Sequence, residues 1–168
     1  MTDETWWQLL LAFGFGLAGS VLPLANAEAF IVASVATGVL GPVPVGVLLG
    51  AGQGVGKMLV FQGIRQGRRQ LVRRRPRREP APIRPGTWRA RWARLVEWSI
   101  ALVEHPRWGP VGLFLSGSLS VPPNYLTTVV AATTRLNFAV FAVFLTAGFM
   151  ARYVVIALAA AGVFEHVR

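Results

Sequence analysis

No cysteine occurs in the chain, which excludes disulfides, thiolate metal centres and cysteine nucleophiles. Charge is scarce as well. Asp, Glu, Lys and Arg make up 14% of the 168 residues, where a soluble domain carries about one quarter. Acid is the scarcer sign, seven carboxylates against 17 Lys and Arg, and the net charge is +10. The stretches 5–27, 29–52 and 108–134 hold no charged residue, and each is long enough to reach across or deep into a hydrocarbon core about 30 Å thick. Against these absences stand a hydrophobic fraction of 54% and a mean hydropathy of +0.51, more apolar material than a water-soluble domain of this length can cover with polar surface. The composition predicts a multi-pass, all-α integral membrane protein, and the length a single domain. The start, Met1-Thr2-Asp3-Glu4, is acidic and lacks the positive region of a secretion signal, so it reads as part of the mature structure.

The excess base is concentrated in one place. Arg65 to Arg94 holds twelve arginines and one acid, Glu79, with Pro76, Pro80, Pro82 and Pro85 spaced through it. Nucleic acid could attract such a block, but its first two-thirds lack interleaved aromatics and it lies between apolar segments. It reads instead as a cytoplasmic loop obeying the positive-inside rule and touching anionic lipid headgroups, with no nucleic-acid partner.

Two glycine patterns imitate nucleotide sites and fail. In Gly50-Ala51-Gly52-Gln53-Gly54-Val55-Gly56-Lys57 a phosphate loop would need glycine at Ala51 and a hydroxyl at Met58. Gly14-Phe15-Gly16-Leu17-Ala18-Gly19 has dinucleotide-binding spacing but sits in an unbroken apolar run with no strand before it. Gly50/Gly54 and Gly52/Gly56 instead form overlapping small-x-x-x-small pairs, the spacing that lets membrane helices approach backbone to backbone.

Proline and polar punctuation divides the chain. Trp6 to Leu24 is a first apolar segment ended by Pro23; Ala25-Asn26-Ala27-Glu28 is a polar break; Ala29 to Leu40 is a second segment and Val45 to Ile64 a third. After the basic linker, 65–87, residues 88–104 read as an amphipathic helix lying in the interface plane. Trp88, Trp92, Leu95, Val96, Leu102 and Val103 share one face, and Arg94, Glu97 and Glu104 the other; packing of that face onto a partner helix is the alternative. Trp108 to Ser120 is apolar and ends at Val121-Pro122-Pro123-Asn124. Tyr125 to Thr134 is a short helix, and Phe138 to Phe164 a long one interrupted only by Arg152.

Shifted by 96 residues, the halves repeat in order: Glu28 falls on Asn124, Thr37 on Thr133, Gly52 on Gly148, and Gly56-Lys57 on Arg152-Tyr153. This predicts an internal duplication, repeat 1 at about 6–64 and repeat 2 at about 108–164. If each short pair of segments turns back at its tip, each half crosses the bilayer once and the repeats are inverted. The acidic N-terminus would then lie outside and the arginine linker inside. The alternative is that the first segment simply spans.

These residues carry a resemblance. A Pro-then-acid tip from Pro23 to Glu28, a Gly-rich helix from Gly50 to Gly56, a second tip Pro122-Pro123-Asn124 and then Phe138, Gly148 and Arg152 resemble the VTT-domain family of DedA and SNARE-associated-Golgi-like membrane proteins, over about residues 9–160. The shorter YqaA-like members are the most similar. The resemblance implies two re-entrant hairpins facing each other from opposite leaflets, a bacterial plasma-membrane location, and lipid scrambling or flipping, polyprenyl-phosphate carriers included, often coupled to protons. It puts Glu28 at the family's acidic position. The arginines that many members carry around the second tip are replaced here by Ser118, Ser120 and Asn124.

Independently of that resemblance, an ionisable group at membrane depth costs about 2.5–3.5 kcal/mol on insertion scales and needs a partner or water. Glu28 paired with Lys57 or Arg152 is the expected solution, with Asn26, Gln53 and Asn124 completing an anion-binding centre. Asn26 and Asn124 each follow proline and precede a helix, where free N–H groups and the dipole favour negative charge. Two simpler readings stand beside this: Asn26 and Glu28 merely cap a helix, and Lys57 or Arg152 snorkels to the headgroups. Pro23, Pro122 and Pro123 are assigned to the tips, and Gly52, Gly54, Gly56 and Gly148 to packing. No catalytic set, metal spacing or cofactor motif accompanies them. The expected function is a transporter, scramblase or flippase for an anionic lipid. The alternatives are a non-transporting scaffold that recruits a partner through the arginine loop and, less favoured, a membrane-embedded lipid enzyme. Assembly with further copies of the chain is compatible with either.

Overall fold

The computed structural model describes residues 3–21, 27–37, 41–72, 88–105 and 107–167. Pro23 and Asn26 of the first tip, and the linker from 73 to 87, lie outside these residues. The described chain forms seven helices and no strand: α1 (Asp3–Val21), α2 (Ala27–Ala36), α3 (Pro42–Val72), α4 (Trp88–Glu104), α5 (Gly109–Leu119), α6 (Asn124–Thr133) and α7 (Phe138–Val167). Two stretches, Pro42–Gly67 and Phe138–Phe164, are long and apolar enough to cross a membrane.

The order is the expected one, but some boundaries move. α3 opens on Pro42, whose fixed φ and missing N–H suit the first turn of a helix. It then runs past the expected end at Ile64 to Val72, because arginine and glutamine are good helix formers and no proline intervenes before Pro76. α6 starts at Asn124, so Asn124 lies inside the first turn; Pro123 occupies the cap position and no side chain caps the helix. The expectation that Asn124 precedes its helix is thereby corrected.

Glycines set the packing of α3. Gly46, Gly50 and Gly54 meet α7 at Val154, Met150 and Thr146, an antiparallel seam so close that a Cβ on Gly50 would stand 2.6 Å from the Met150 backbone. Gly52 and Gly56 face away from that seam, against Phe13, Leu17 and Ser20 of α1, while Gly16 of α1 meets the Leu49 carbonyl. The predicted seam is thus two seams, one on each side of α3. Gly148 of α7 packs on Phe114, Gly117 and Ser118 of α5. Small residues at such contacts admit backbone-to-backbone approach, so dispersion forces act over many atom pairs. At the end where α3 approaches Arg65, Phe61 stacks on Phe141 at 4.6 Å between centroids and lies 5.5 Å from Phe138.

α4 occupies its predicted span, and its apolar face is divided: the C-terminal part, Leu102 and Val103, packs on neighbouring helices, while the N-terminal part is exposed. Ser99 and Val103 are buried and Leu102 fills the space above Gly112, packing the C-terminal half on α5 and α6. Trp88 and Trp92 point outward, 72% and 52% exposed. The remaining tryptophans, Trp6, Trp7, Trp98 and Trp108, are exposed too, so none of the six contributes to the core.

Candidate functional site

The end of α1, the start of α2 and the α5–α6 turn come together against the middles of α3 and α7, and polar groups collect there. Arg152 stands near the midpoint of the Phe138–Phe164 stretch. Its Nη1 donates to Ser120 Oγ at 2.6 Å, and its Nη2 forms an ion pair with Glu28 Oε1 at the start of α2. Ser120 is held at φ 57°, in the left-handed region, as the C-cap of α5. A non-glycine residue there costs about 1 kcal/mol, and the conformation leaves the serine hydroxyl in the grip of Arg152.

Lys57 stands near the midpoint of the Pro42–Gly67 stretch and is 1% exposed. It does not snorkel. Its Nζ donates to the Ser20 carbonyl at 3.1 Å and lies 3.2 Å from the centre of the Tyr125 ring. The Tyr125 hydroxyl donates to the same carbonyl at 2.9 Å. Ser20 closes the last turn of α1, where helix carbonyls lack intrahelical partners, so lysine and tyrosine satisfy a group that the helix leaves open. The ring face supplies the attraction that a carboxylate would otherwise give the ammonium. Gln53, one turn earlier on α3, is buried and lies near the side chain of Tyr153, the neighbour of Arg152.

The second tip is braced from within. The Ser116 hydroxyl donates to the Pro122 carbonyl at 2.8 Å and lies 2.9 Å from Thr127 Oγ1, which donates to the Pro123 carbonyl at 3.2 Å. Ser116 and Thr127 are buried, so Pro122 and Pro123 are fixed by groups that cannot exchange these bonds for water.

Of the two pairings considered, Glu28 takes Arg152 and Lys57 takes Ser20 and Tyr125. Glu28, Gln53, Lys57 and Arg152 all belong to the centre. Asn124 lies beside Tyr125, where its carbonyl accepts from Thr128 Oγ1 at 2.7 Å; Asn26 lies outside the described residues. Ser20 and Tyr125 were not anticipated. One signal could have found Tyr125: the chain has only two tyrosines, adjoining Asn124 and Arg152, the polar residues of the second half.

The two cations differ in access. The Glu28 side chain of the ion pair is 52% exposed and that of Arg152 25%, whereas Lys57 is enclosed. An incoming anion can therefore reach Arg152 in competition with Glu28, while Lys57 and Tyr125 hold the end of α1 against the start of α6. Tyr125→Phe should cost about 1 kcal/mol through the lost hydroxyl bond, and Tyr125→Leu more, because the ring over Lys57 goes too. Denaturant unfolding in detergent measures both, and equal stability of the two variants would remove the cation–π contact from the account. Among the described residues no group of His, Asp and Glu could hold a metal ion. Comparison of the chain with protein-family models, curated proteins and solved structures gives no match.

Proposed function

We propose that the chain is a membrane protein of VTT-domain type that moves an anionic, phosphate-bearing lipid between leaflets, with Glu28 and Arg152 coupling that movement to protons. The observation that carries the reading is the convergence of polar turns on a cation near the middle of each long apolar helix. Arg152 reaches its own half's Ser120 and the other half's Glu28; Lys57 reaches its own half's Ser20 and the other half's Tyr125. Such residues at the depth of a bilayer mark substrate paths. In this proposal the headgroup phosphate displaces Glu28 from Arg152 once Glu28 is protonated or turned aside, since a bidentate guanidinium accepts phosphate as readily as carboxylate.

Inverted repeats are supported by the packing. A shift of 96 residues carries Gly50 to Thr146 and Met150 back to Gly54, so the contacts Gly50–Met150 and Gly54–Thr146 exchange with each other. Gly16 meets Leu49 and Gln53 in the first half, and Gly117 meets Leu145 and Phe149 in the second; the shift of 96 carries Leu49 to Leu145 and Gln53 to Phe149, while the two glycines themselves stand 101 residues apart. The short pairs α1–α2 and α5–α6 are then re-entrant hairpins with tips at the midplane, the arrangement of broken-helix transporters. A bilayer setting is supported by the six exposed tryptophans, which suit membrane–water interfaces, and by exposed Val143, Val155 and Val163 along α7.

Two measurements test the reading. Purified protein in liposomes should accelerate leaflet exchange of fluorescent anionic lipids; rates equal to protein-free liposomes across several headgroups would refute it. With no native cysteine to interfere, Gly41→Cys should react with an impermeant maleimide only from outside and Arg107→Cys only from the cytoplasmic side. Labelling of both from one face would overturn the inverted topology.

A further inference from the structure

The open end of the α5–α6 pair holds a cavity of about 800 Å³ with Glu104, His105, Arg135 and Asn137 among its polar lining and Val103 and Val140 among its apolar lining. That volume falls inside the roughly 300–1,000 Å³ typical of small-molecule sites. It lies at the start of α7, the end where Phe61 meets Phe138 and Phe141 and α3 runs on into Arg65, hence on the basic, cytoplasmic side of the proposed topology.

The donor and acceptor inventory of this cavity is unusually well defined. His105 Nδ1 accepts the backbone N–H groups of Arg107 and Trp108 at 3.3 and 3.2 Å, which puts the ring proton on Nε2 and makes that nitrogen a donor. Asn137 Oδ1 accepts the Ala139 N–H at 2.8 Å, which leaves its amide NH₂ to donate. Arg135 and Glu104 are exposed, and neither is paired with another described side chain. Three donor groups therefore share one cavity with one carboxylate. A bare phosphate would satisfy the donors but face Glu104, and a bare amine would satisfy Glu104 but face Arg135; like-charge approach of either kind selects against it.

We propose that this cavity receives the headgroup of the transported lipid from the cytoplasmic leaflet, and that the headgroup carries a primary ammonium beside its phosphate. Arg135, His105 Nε2 and the Asn137 amide take the phosphate; Glu104 takes the ammonium; Val103 and Val140 face the glycerol end. A serine headgroup meets this requirement and keeps the net negative charge of the proposed lipid; glycerophosphoethanolamine carries the same phosphate–ammonium pair and serves as its soluble probe. The inference rests on the lipid-moving reading, but its test measures binding alone, so the two can fail separately.

Full-length protein in phosphatidylcholine nanodiscs is titrated calorimetrically with glycerophosphoethanolamine, glycerol 3-phosphate and glycerophosphocholine, whose quaternary nitrogen has no N–H. The ethanolamine probe should bind about tenfold more tightly than the other two, the lower end for a charge-assisted hydrogen bond. Glu104→Gln should erase that preference, and Arg135→Gln should weaken the ethanolamine and glycerol phosphate probes together, with unfolding curves unchanged for both exposed sites. Equal affinity for the three probes, no binding of any, or a preference that survives Glu104→Gln overturns the assignment. Raising the mole fraction of a serine-headgroup phospholipid in the nanodisc should displace the soluble probe; absence of displacement would make the cavity a site for a free phosphoamine and overturn its role as a lipid headgroup site. Intact binding with no lipid movement in liposomes would instead count against transport.

Discussion

Arg152→Ala should slow leaflet exchange of anionic lipids by about 10- to 100-fold, the range set by loss of a charge-assisted hydrogen bond, while exchange of zwitterionic lipids falls less. The variant also removes the ion-pair partner that Arg152 gives Glu28, so folding must be monitored alongside rate. Glu28→Gln gives the cleaner half of the test. It keeps the shape of the side chain, leaves Arg152 permanently without a carboxylate, and should give lipid movement that no longer varies with pH. In the parent protein the guanidinium is available to the phosphate only when Glu28 releases it, which is the step that the variant removes. The other charged group of this centre is Lys57, which lies over the Tyr125 ring, while Tyr153 lies beside Arg152. A stably folded Glu28→Gln protein with the parent's rate and pH profile would reduce Glu28 to a helix-terminal residue and end the proton-coupled reading.

The second large effect is structural. Gly50→Leu should cost about 3 kcal/mol, the upper end for overpacking, because the obstruction at Met150 is backbone and no rotamer change can clear it. Gly117→Leu should be comparable, since a Cβ there would meet the Leu145 carbonyl and the Gly148 backbone. Gly14→Leu and Gly63→Leu serve as controls: both glycines lie in the same kinds of helix, and nothing stands within 4 Å of an added Cβ. Unfolding in mixed detergent resolves the comparison. Equal stability of the Gly50 and Gly63 variants would show that helix propensity, and not close approach, explains the glycines.

The order of helices was legible because proline and charge interrupt apolar runs abruptly, at Pro42 and Pro44, at Arg65, and at Pro122 and Pro123. The span of α4 was legible from its periodicity, and so were Leu102 and Val103 as part of its apolar face. Which part of that face packs was not legible: tryptophan counts as apolar in any periodicity argument, yet its amphipathic ring favours an interface over a core, so Trp88 and Trp92 stay exposed while Val103 is buried beside Ser99, which an apolar pattern passes over. The glycine spacing revealed a packing surface; that Gly50 and Gly54 face α7 while Gly52 and Gly56 face α1 follows from geometry the spacing alone does not contain. The centre was half legible. Charges in apolar runs announce themselves, so Glu28, Lys57 and Arg152 could be named in advance. The partner of Lys57 could not, because it is the backbone carbonyl of Ser20, a group every residue carries. Nor could Glu28 be assigned to Arg152 over Lys57, since the choice depends on how helices far apart in the chain are placed.

The seam in which Gly50–Met150 and Gly54–Thr146 trade places has the character of an isologous interface, the kind by which two identical molecules join about a twofold axis. Nothing in such an interface depends on the two sides belonging to one chain. In the proposed architecture the linker of residues 73–87 supplies local concentration, and the shape of the contact is supplied by the glycines. The protein can then be regarded as a covalent dimer of unequal partners: symmetry in the frame keeps the halves in register, and its breaking at the centre, where one half offers a carboxylate and the other a tyrosine ring, gives otherwise equivalent cations different tasks.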